Sequence, residues 1–320
     1  MQLSLRGTFS VSHEQRARAA TAQGRRHQHA SLPLSAAILL GPERAISARD
    51  QTPLESLDKR DARRYILLKV TFIRDIPMTQ LTLIALAHAG GSAKALFPMR
   101  RHLPANIELR PLDLPGRGSR FKEQLVAARQ PLIEQLSAEL SGSLHQPYAL
   151  FGHSLGGMLA FELAHALIRR GLPAPRALCV AASPAPCSQG RRRPPETWNS
   201  DAALLASMRK VGGTPPELFE HPELLELFLP IVRADFQLCD DIPAQPLGPL
   251  PCPIHVYAGR GDNLELEALQ GWQRATSRAH SLTYFEGDHF FVRSHTRELC
   301  TQLAQHLVPQ QTASAVAMFR

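Results

Sequence analysis

A chain of 320 residues with 44% hydrophobic side chains can bury one full-sized core, or at most two modest ones. Its formal charge of +8 points toward nucleic acid or an anionic membrane until it is apportioned: residues 1–77 hold 13 Lys and Arg against 7 Asp and Glu, and residues 78–320 hold 23 against 21. The body is thus nearly neutral, which argues against a nucleic-acid binder, and no run of 18 or more apolar residues is present to span a membrane.

Residues 1–77 mix Arg, Gln, His, Ser and Ala without a sustained apolar period. Their one apolar patch, Leu32 to Leu40, is short and lies too far along the chain for a secretory signal. Two readings stay open: a basic targeting arm, and a disordered leader or a stretch read from an upstream start codon. The second is preferred, because such a composition buries too little surface to offset the entropy of ordering, and because Met78 opens a well-patterned domain.

From Met78 to about residue 310, apolar strands alternate with amphipathic helices, leaving 311–320 as a tail. That alternation signals an α/β domain whose mostly parallel sheet carries helices on both faces. Leu81 to Ala87 is an unbroken apolar run ending near a Gly pair, and Glu108 to Leu112 is a shorter one ending at Asp-Leu-Pro-Gly. Tyr148 to Phe151 is a third strand, followed by a helix over Leu155 to Arg169 with Leu159, Leu163, Ala166 and Leu167 on one face and Gly171 as its stop. Ala177 to Ala182, Ile254 to Ala258 and Ser281 to Phe285 continue the sheet, and Thr296 to Leu307 is the closing helix. Residues 184–250, rich in Pro, Leu and Glu, are too long for a structureless loop. They read as a helical lid inserted between two strands, with a simple extension of the core as the alternative. The five cysteines (Cys179, Cys187, Cys239, Cys252, Cys300) are scattered and odd in number, which indicates neither a zinc site nor a disulfide framework and suits a reducing cytoplasm. No metal and no cofactor of its own is expected.

Gly152-His153-Ser154-Leu155-Gly156 is a G-x-S-x-G pattern set between a strand and a helix, the context in which a strained turn displays a serine hydroxyl. The flanking glycines are required because a Cβ there would strike the neighbouring strand or helix. This combination predicts an α/β-hydrolase fold with Ser154 as nucleophile. A hydroxyl needs a base within reach, and imidazole has a suitable pKa. His289, just after the last strand, is the candidate; His295 and His306 are its rivals. The acid that orients the imidazole should follow an earlier strand, which favours Asp262 over Asp288 and over Asp235, Asp240 and Asp241 in the insertion. Two backbone N–H groups must meet the oxyanion: Leu155, after the nucleophile, and Ala89 in His88-Ala89-Gly90-Gly91-Ser92. His88 and His153 are read as packing or hydrogen-bonding residues. An oxygen-ester hydrolase and a catalytically silent docking module remain as alternatives at this point.

Several of these segments together are far more specific than the pentapeptide. His88-Ala89-Gly90-Gly91-Ser92-Ala93, Leu114-Pro115-Gly116-Arg117-Gly118 with Arg120, and Gly152 to Gly157 with Phe161-Glu162-Leu163-Ala164 form one group. Gly212-Gly213-Thr214-Pro215-Pro216-Glu217, Arg233-Ala234-Asp235-Phe236 and Gly287-Asp288-His289-Phe290-Phe291 form another. The chain from Leu81 to Leu307 resembles the type II thioesterases of non-ribosomal peptide and polyketide synthesis. The resemblance implies hydrolysis, in trans, of acyl or aminoacyl thioesters on the phosphopantetheine arm of a carrier protein. It also implies a triad of Ser154, Asp262 and His289, and a cytoplasmic monomer whose partners are acyl or peptidyl carrier domains, not nucleic acid or membrane. Where the family often has an aromatic-Pro pair, a Pro and a Tyr, this chain has Leu86-Ala87, Asn263 and Asp240-Asp241-Ile242-Pro243. These departures bear on acyl selectivity more than on catalysis. Arg191-Arg192-Arg193 reads equally as a contact for an acidic carrier protein or as a solubilising run.

Overall fold

Unbroken apolar runs such as Leu81-Thr82-Leu83-Ile84-Ala85-Leu86 suit strands covered on both faces, and that is where they lie. In the computed structural model, which describes residues 80–186, 196–241 and 247–308, six parallel strands form one sheet. They are β1 (Leu81–Leu86), β2 (Ile107–Leu112), β3 (Tyr148–His153), β4 (Leu178–Ala181), β5 (Ile254–Gly259) and β6 (His280–Phe285), in the spatial order β2-β1-β3-β4-β5-β6. The four inner strands are buried along their whole length, and the two edge strands are partly exposed. Each lies within two residues at either end of its expected position. The expectations for residues 1–77 and 311–320 and for the Arg191–Arg193 run fall outside the described residues.

The period-2 alternation sorts the strand side chains into two cores. Ile84, Leu86, Leu150, Val180 and Val256 face one side, under α1 (Arg129–Ser141) and α2 (Leu155–Arg169). Leu83, Ala85, Phe151, Ala181 and Tyr257 face the other, under the 3-10 turn Ala93–Arg101 and the closing helix α8 (Thr296–Leu307). Each large aliphatic buried this way contributes about 1.5–3 kcal/mol. Helix α2 begins and ends where its residues predict. Helix α1 has no counterpart among the sequence expectations: Leu132, Ile133, Leu136 and Leu140 form its buried face, but Arg129 and Ser137 are buried among them and blur the apolar period.

The insertion is helical, as expected, with α3 (Glu196–Asn199), α4 (Asp201–Val211) and α5 (Pro222–Asp240) and no strand among its described residues. It holds a small core of its own, Leu204, Met208, Leu229, Val232 and Phe236. Arg129 fastens it to the body. Its guanidinium donates to the Leu238 and Cys239 carbonyls at the end of α5 (2.5 and 2.9 Å) and to Glu162 of α2 (2.6 Å), and its backbone N–H donates to Asp241 (2.6 Å). A cation over the last carbonyls of a helix also complements the helix dipole. Two short helices complete the chain order, α6 (Leu266–Gln270) after β5 and α7 (Phe291–Ser294) after β6.

Strand order places the site. The chain runs outward from β1 to β2 and then returns to β3 on the opposite side of β1, so the loops after β1 and β3 adjoin at a switch point, at the carboxyl ends of the strands. The loop after β1 carries Ala89, and the loop after β3 carries Ser154.

Candidate active site

Ser154 joins β3 to α2 with φ 56° and ψ −117°, a left-handed conformation that a serine adopts only under constraint. Crowding around it supplies the constraint. A Cβ at Gly152 would stand 2.1 Å from the Gly156 carbonyl oxygen, one at Gly156 2.2 Å from the Leu86 carbonyl oxygen, and one at Gly157 2.6 Å from Ser183. The sharp turn is therefore open only to glycine at these places, and it projects Ser154 into a cavity of about 770 Å³.

His289 lines the same cavity. Its Nδ1–H donates to Asp262 Oδ2 at 2.8 Å, and the carboxylate is almost fully buried. The two turns that carry them are stitched together. Arg260 N–H donates to Phe285 O (2.9 Å) and Gly261 N–H to Gly287 O (2.8 Å), while a Cβ at Gly259 would meet the Asp288 carbonyl at 2.3 Å. Below them, His153 Nε2 lies 2.8 Å from the His289 carbonyl. A carbonyl only accepts, so this nitrogen donates, and the residue before Ser154 steadies the backbone of His289.

The rival residues occupy other places. Asp288 Oδ1 accepts from Phe290 N–H (2.8 Å) in its own turn. His295 sits at the start of α8, and His306 stacks on His255 with ring centres 3.7 Å apart. Asp235 pairs with Arg117, Asp240 accepts from Trp198 Nε1 (3.0 Å), and Asp241 accepts from Arg129.

Ala89 and Leu155 both line the cavity. Leu155 is the first residue of α2, where an N–H has no intrahelical acceptor. Three donors that follow Ala89 are taken: Gly90 N–H by Asp235 Oδ2 (2.6 Å), Gly91 N–H by His88 O (2.8 Å) and Ala93 N–H by Asp113 Oδ1 (2.7 Å). The Ala89 N–H has no acceptor among the described residues.

Burial, then the charge of Arg293 and the proximity of His289, pushes the His88 imidazole down to about 3. His153 is likewise driven well below the ordinary histidine range, first by burial. Both are neutral beneath the cavity, where Phe290 packs edge-on to the two rings and to that of His289. Asp113 is held below the usual carboxylate range: burial opposes this, but hydrogen bonds from Ala93 and Ser119 and the charge of Arg117 outweigh it. Met158, Met208, Val211, Phe228, Val232 and Phe236 form an apolar wall of the cavity, and Ser92, Thr214 and Arg293 are also on its lining. Among the described residues no group of His, Cys, Asp or Glu is arranged to hold a metal ion, and no helix is long and apolar enough to cross a membrane.

Sequence reasoning passed over the Arg117–Asp235 pair and the latch formed by Phe290 and Arg293 against Gly213. Arg293 Nη1 donates to Gly213 O (2.8 Å), and the Phe290 ring lies where a Gly213 side chain would stand. The only signal was that Arg117, Asp235, Gly213 and Phe290 fall in the shared motif segments, with Asp235 read there only as a rival acid; Arg293 falls in none of them.

A parallel sheet wound about a switch point, with a serine on a strained strand-to-helix bend at its carboxyl edge, defines an α/β-hydrolase. Residues 81–307 match the thioesterase domain family, and the chain belongs to that family: it is a thioester hydrolase. It is similar to the gramicidin S biosynthesis protein GrsT of Aneurinibacillus migulanus, 30% identical over 72% of this chain and 92% of that protein. Among solved structures it is similar to ClbQ from the colibactin NRPS/PKS pathway, with 33% identity, a TM-score of 0.67, and 71% and 97% of the two chains covered. It is also similar to BorB, a type II thioesterase from the borrelidin biosynthetic cluster, with 35% identity, a TM-score of 0.64, and 72% and 93% covered.

Proposed function

We propose that this thioesterase removes acyl or aminoacyl groups from the phosphopantetheine arms of carrier domains in a non-ribosomal peptide or polyketide synthetase, clearing stalled or mis-primed carriers. The observation that carries the mechanism is the convergence in one cavity of Ser154, on its left-handed bend, and His289, whose Nδ1 is bound to the buried Asp262 carboxylate. The GrsT, ClbQ and BorB relatives, each named for a biosynthetic route or cluster, support the class of partner. The enzyme acts in trans, as a cytoplasmic monomer, and draws on no cofactor of its own.

In the reaction, Ser154 Oγ attacks the thioester carbonyl carbon as His289 Nε2 takes the hydroxyl proton, and Asp262 stabilises the imidazolium. The N–H groups of Ala89 and Leu155 receive the oxyanion. Collapse breaks the C–S bond, and the sulfur leaves as a thiol with the proton from His289. Water, deprotonated by the same imidazole, then attacks the acyl-serine and releases a carboxylic acid. One thioester and one water give one acid and one thiol.

The test incubates the protein and its Ser154→Ala variant with acetyl-loaded and peptidyl-loaded carrier proteins and follows acyl loss by mass. Hydrolysis by the unsubstituted enzyme alone, faster on short acyl groups, is expected. Turnover that survives in Ser154→Ala rejects the nucleophile, and a preference for oxygen esters makes the protein a carboxylesterase.

A further inference from the structure

The Arg117–Asp235 ion pair is buried and has no part in the reaction as written. Arg117 Nη1 and Nη2 approach the two carboxylate oxygens at 2.5 and 2.7 Å, with side-chain exposures of 5% and 0%. A buried pair of this kind contributes little net stability, because desolvation cancels most of its attraction. Arg117 Nε is buried without a partner among the described residues, a further cost. What the pair does hold is geometry. Asp235 Oδ2 also accepts from Gly90 N–H at 2.6 Å, and Arg117 Nη1 reaches the Gly91 carbonyl at 3.5 Å. Asp113 binds the far end of the same loop through Ala93 N–H. The loop is thus held at Gly90, the residue next to Ala89, and again at Ala93, and the pin nearer to Ala89 is carried by the insertion, on α5.

The same helix lines the cavity. Phe228, Val232 and Phe236, spaced four residues apart, are on its wall, and the site of a Gly90 Cβ lies 3.0 Å from Phe228 Cζ and 3.2 Å from Val232 Cγ2. An acyl chain in the cavity therefore bears on the helix that holds Gly90. We infer that Asp235, clamped by Arg117, is a positioning residue that aims the Ala89 N–H at the developing oxyanion, and that α5 thereby makes acyl-group occupancy part of assembling the oxyanion site. This rests on the mechanism proposed above. Asp235 touches neither substrate nor reacting atoms.

The test uses two variants of the full chain. Asp235→Asn keeps the volume and an acceptor oxygen for Gly90 but removes the charge facing Arg117. The double variant Arg117→Leu/Asp235→Leu removes the pair as a unit, a change that buried ion pairs tolerate when the replacements are apolar. Each is assayed for kcat and KM on an acyl-pantetheine thioester, and for inhibition by the matching trifluoromethyl ketone, whose adduct with Ser154 presents an oxyanion. Both variants are expected to lose about 10- to 100-fold in kcat, with KM within about twofold, and to bind the ketone more weakly by the same factor. The double variant should stay folded, its thermal unfolding lowered only by the loss of the acceptor for Gly90 N–H. A folded double variant with unchanged kcat and ketone affinity overturns the inference, and so does loss of folding in both variants, which would make the pair structural. If kcat falls without any change in ketone binding, positioning of the oxyanion donor is also rejected. Absence of Ser154-dependent turnover in the unsubstituted enzyme would instead remove the underlying mechanism.

Discussion

Holding Ser154 at φ 56° costs about 1–3 kcal/mol, a strain that the fold stores at the point where the hydroxyl must stand clear of the backbone. Glycine occupies that region freely. Ser154→Gly should therefore unfold at a higher temperature than Ser154→Ala, by about 1 kcal/mol of stability; equal melting temperatures would count against stored strain. The glycines around the bend make the opposite prediction. Gly152→Ala and Gly156→Ala drive a Cβ to within 2.1 and 2.2 Å of backbone oxygens and should destabilise by about 3 kcal/mol in denaturant titrations. Gly142 faces open space at φ −80°, so Gly142→Ala should be neutral or slightly stabilising in the same titrations. At Asp262, loss of the charge that fixes the imidazole tautomer should lower kcat of Asp262→Asn by about 10⁴-fold with the fold intact by circular dichroism. At this scale much was legible. A G-x-S-x-G after an apolar run, and a histidine after the last strand, are local patterns that short-range sterics dictate, and the two residues named from them line one cavity, with Asp262 bound to the histidine.

Between elements, the outcome depends on which loops meet. The Gly212–Gly213 turn of the insertion lies against Phe290 and Arg293, the residues that follow His289. At φ +77°, with Phe290 Cζ 2.1 Å from the place a Cβ would take, Gly213→Ala cannot be accommodated without moving the turn off the ring. Steady-state kinetics should show kcat/KM reduced about tenfold, while thermal stability changes little because the turn lies outside the two main cores; unchanged kcat/KM would show that the latch plays no part in turnover. The insertion as a helical segment was readable from its length and composition, and α2 from its period. Helix α1 was not, because Arg129 and Ser137 occupy its buried face for reasons that lie elsewhere: Arg129 reaches Glu162 and the end of α5, and Ser137 accepts from Arg170. A polar residue buried to serve another element is indistinguishable, within its own segment, from one that faces solvent.

Across the whole molecule, histidine burial sets a dependence of stability on pH. His88 is pushed down to about 3 and His255 to about 4, and His153, His165, His280 and His306 are also lowered, in each case first by burial. The unfolded chain takes up protons near the ordinary histidine value of about 6.5, while the folded chain holds these rings neutral. Stability is therefore fully present above about pH 6.5 and declines as the pH falls toward 4. Melting temperature should drop between pH 7 and pH 5, and His255→Gln should make the drop shallower; a flat profile over that range would contradict the burial assignment. The amino-acid sequence by itself determined the α/β class, the order of the strands along the chain and the helical insertion, and it singled out Ser154, His289 and Asp262 as candidates. Each follows from apolar period or turn chemistry within a few residues. Only the tertiary structure decided that Asp235 would hold Gly90 through a clamp with Arg117, 118 residues away in the chain. Such a pairing depends on strand order and on how the insertion folds back over the sheet, and no local spacing encodes either.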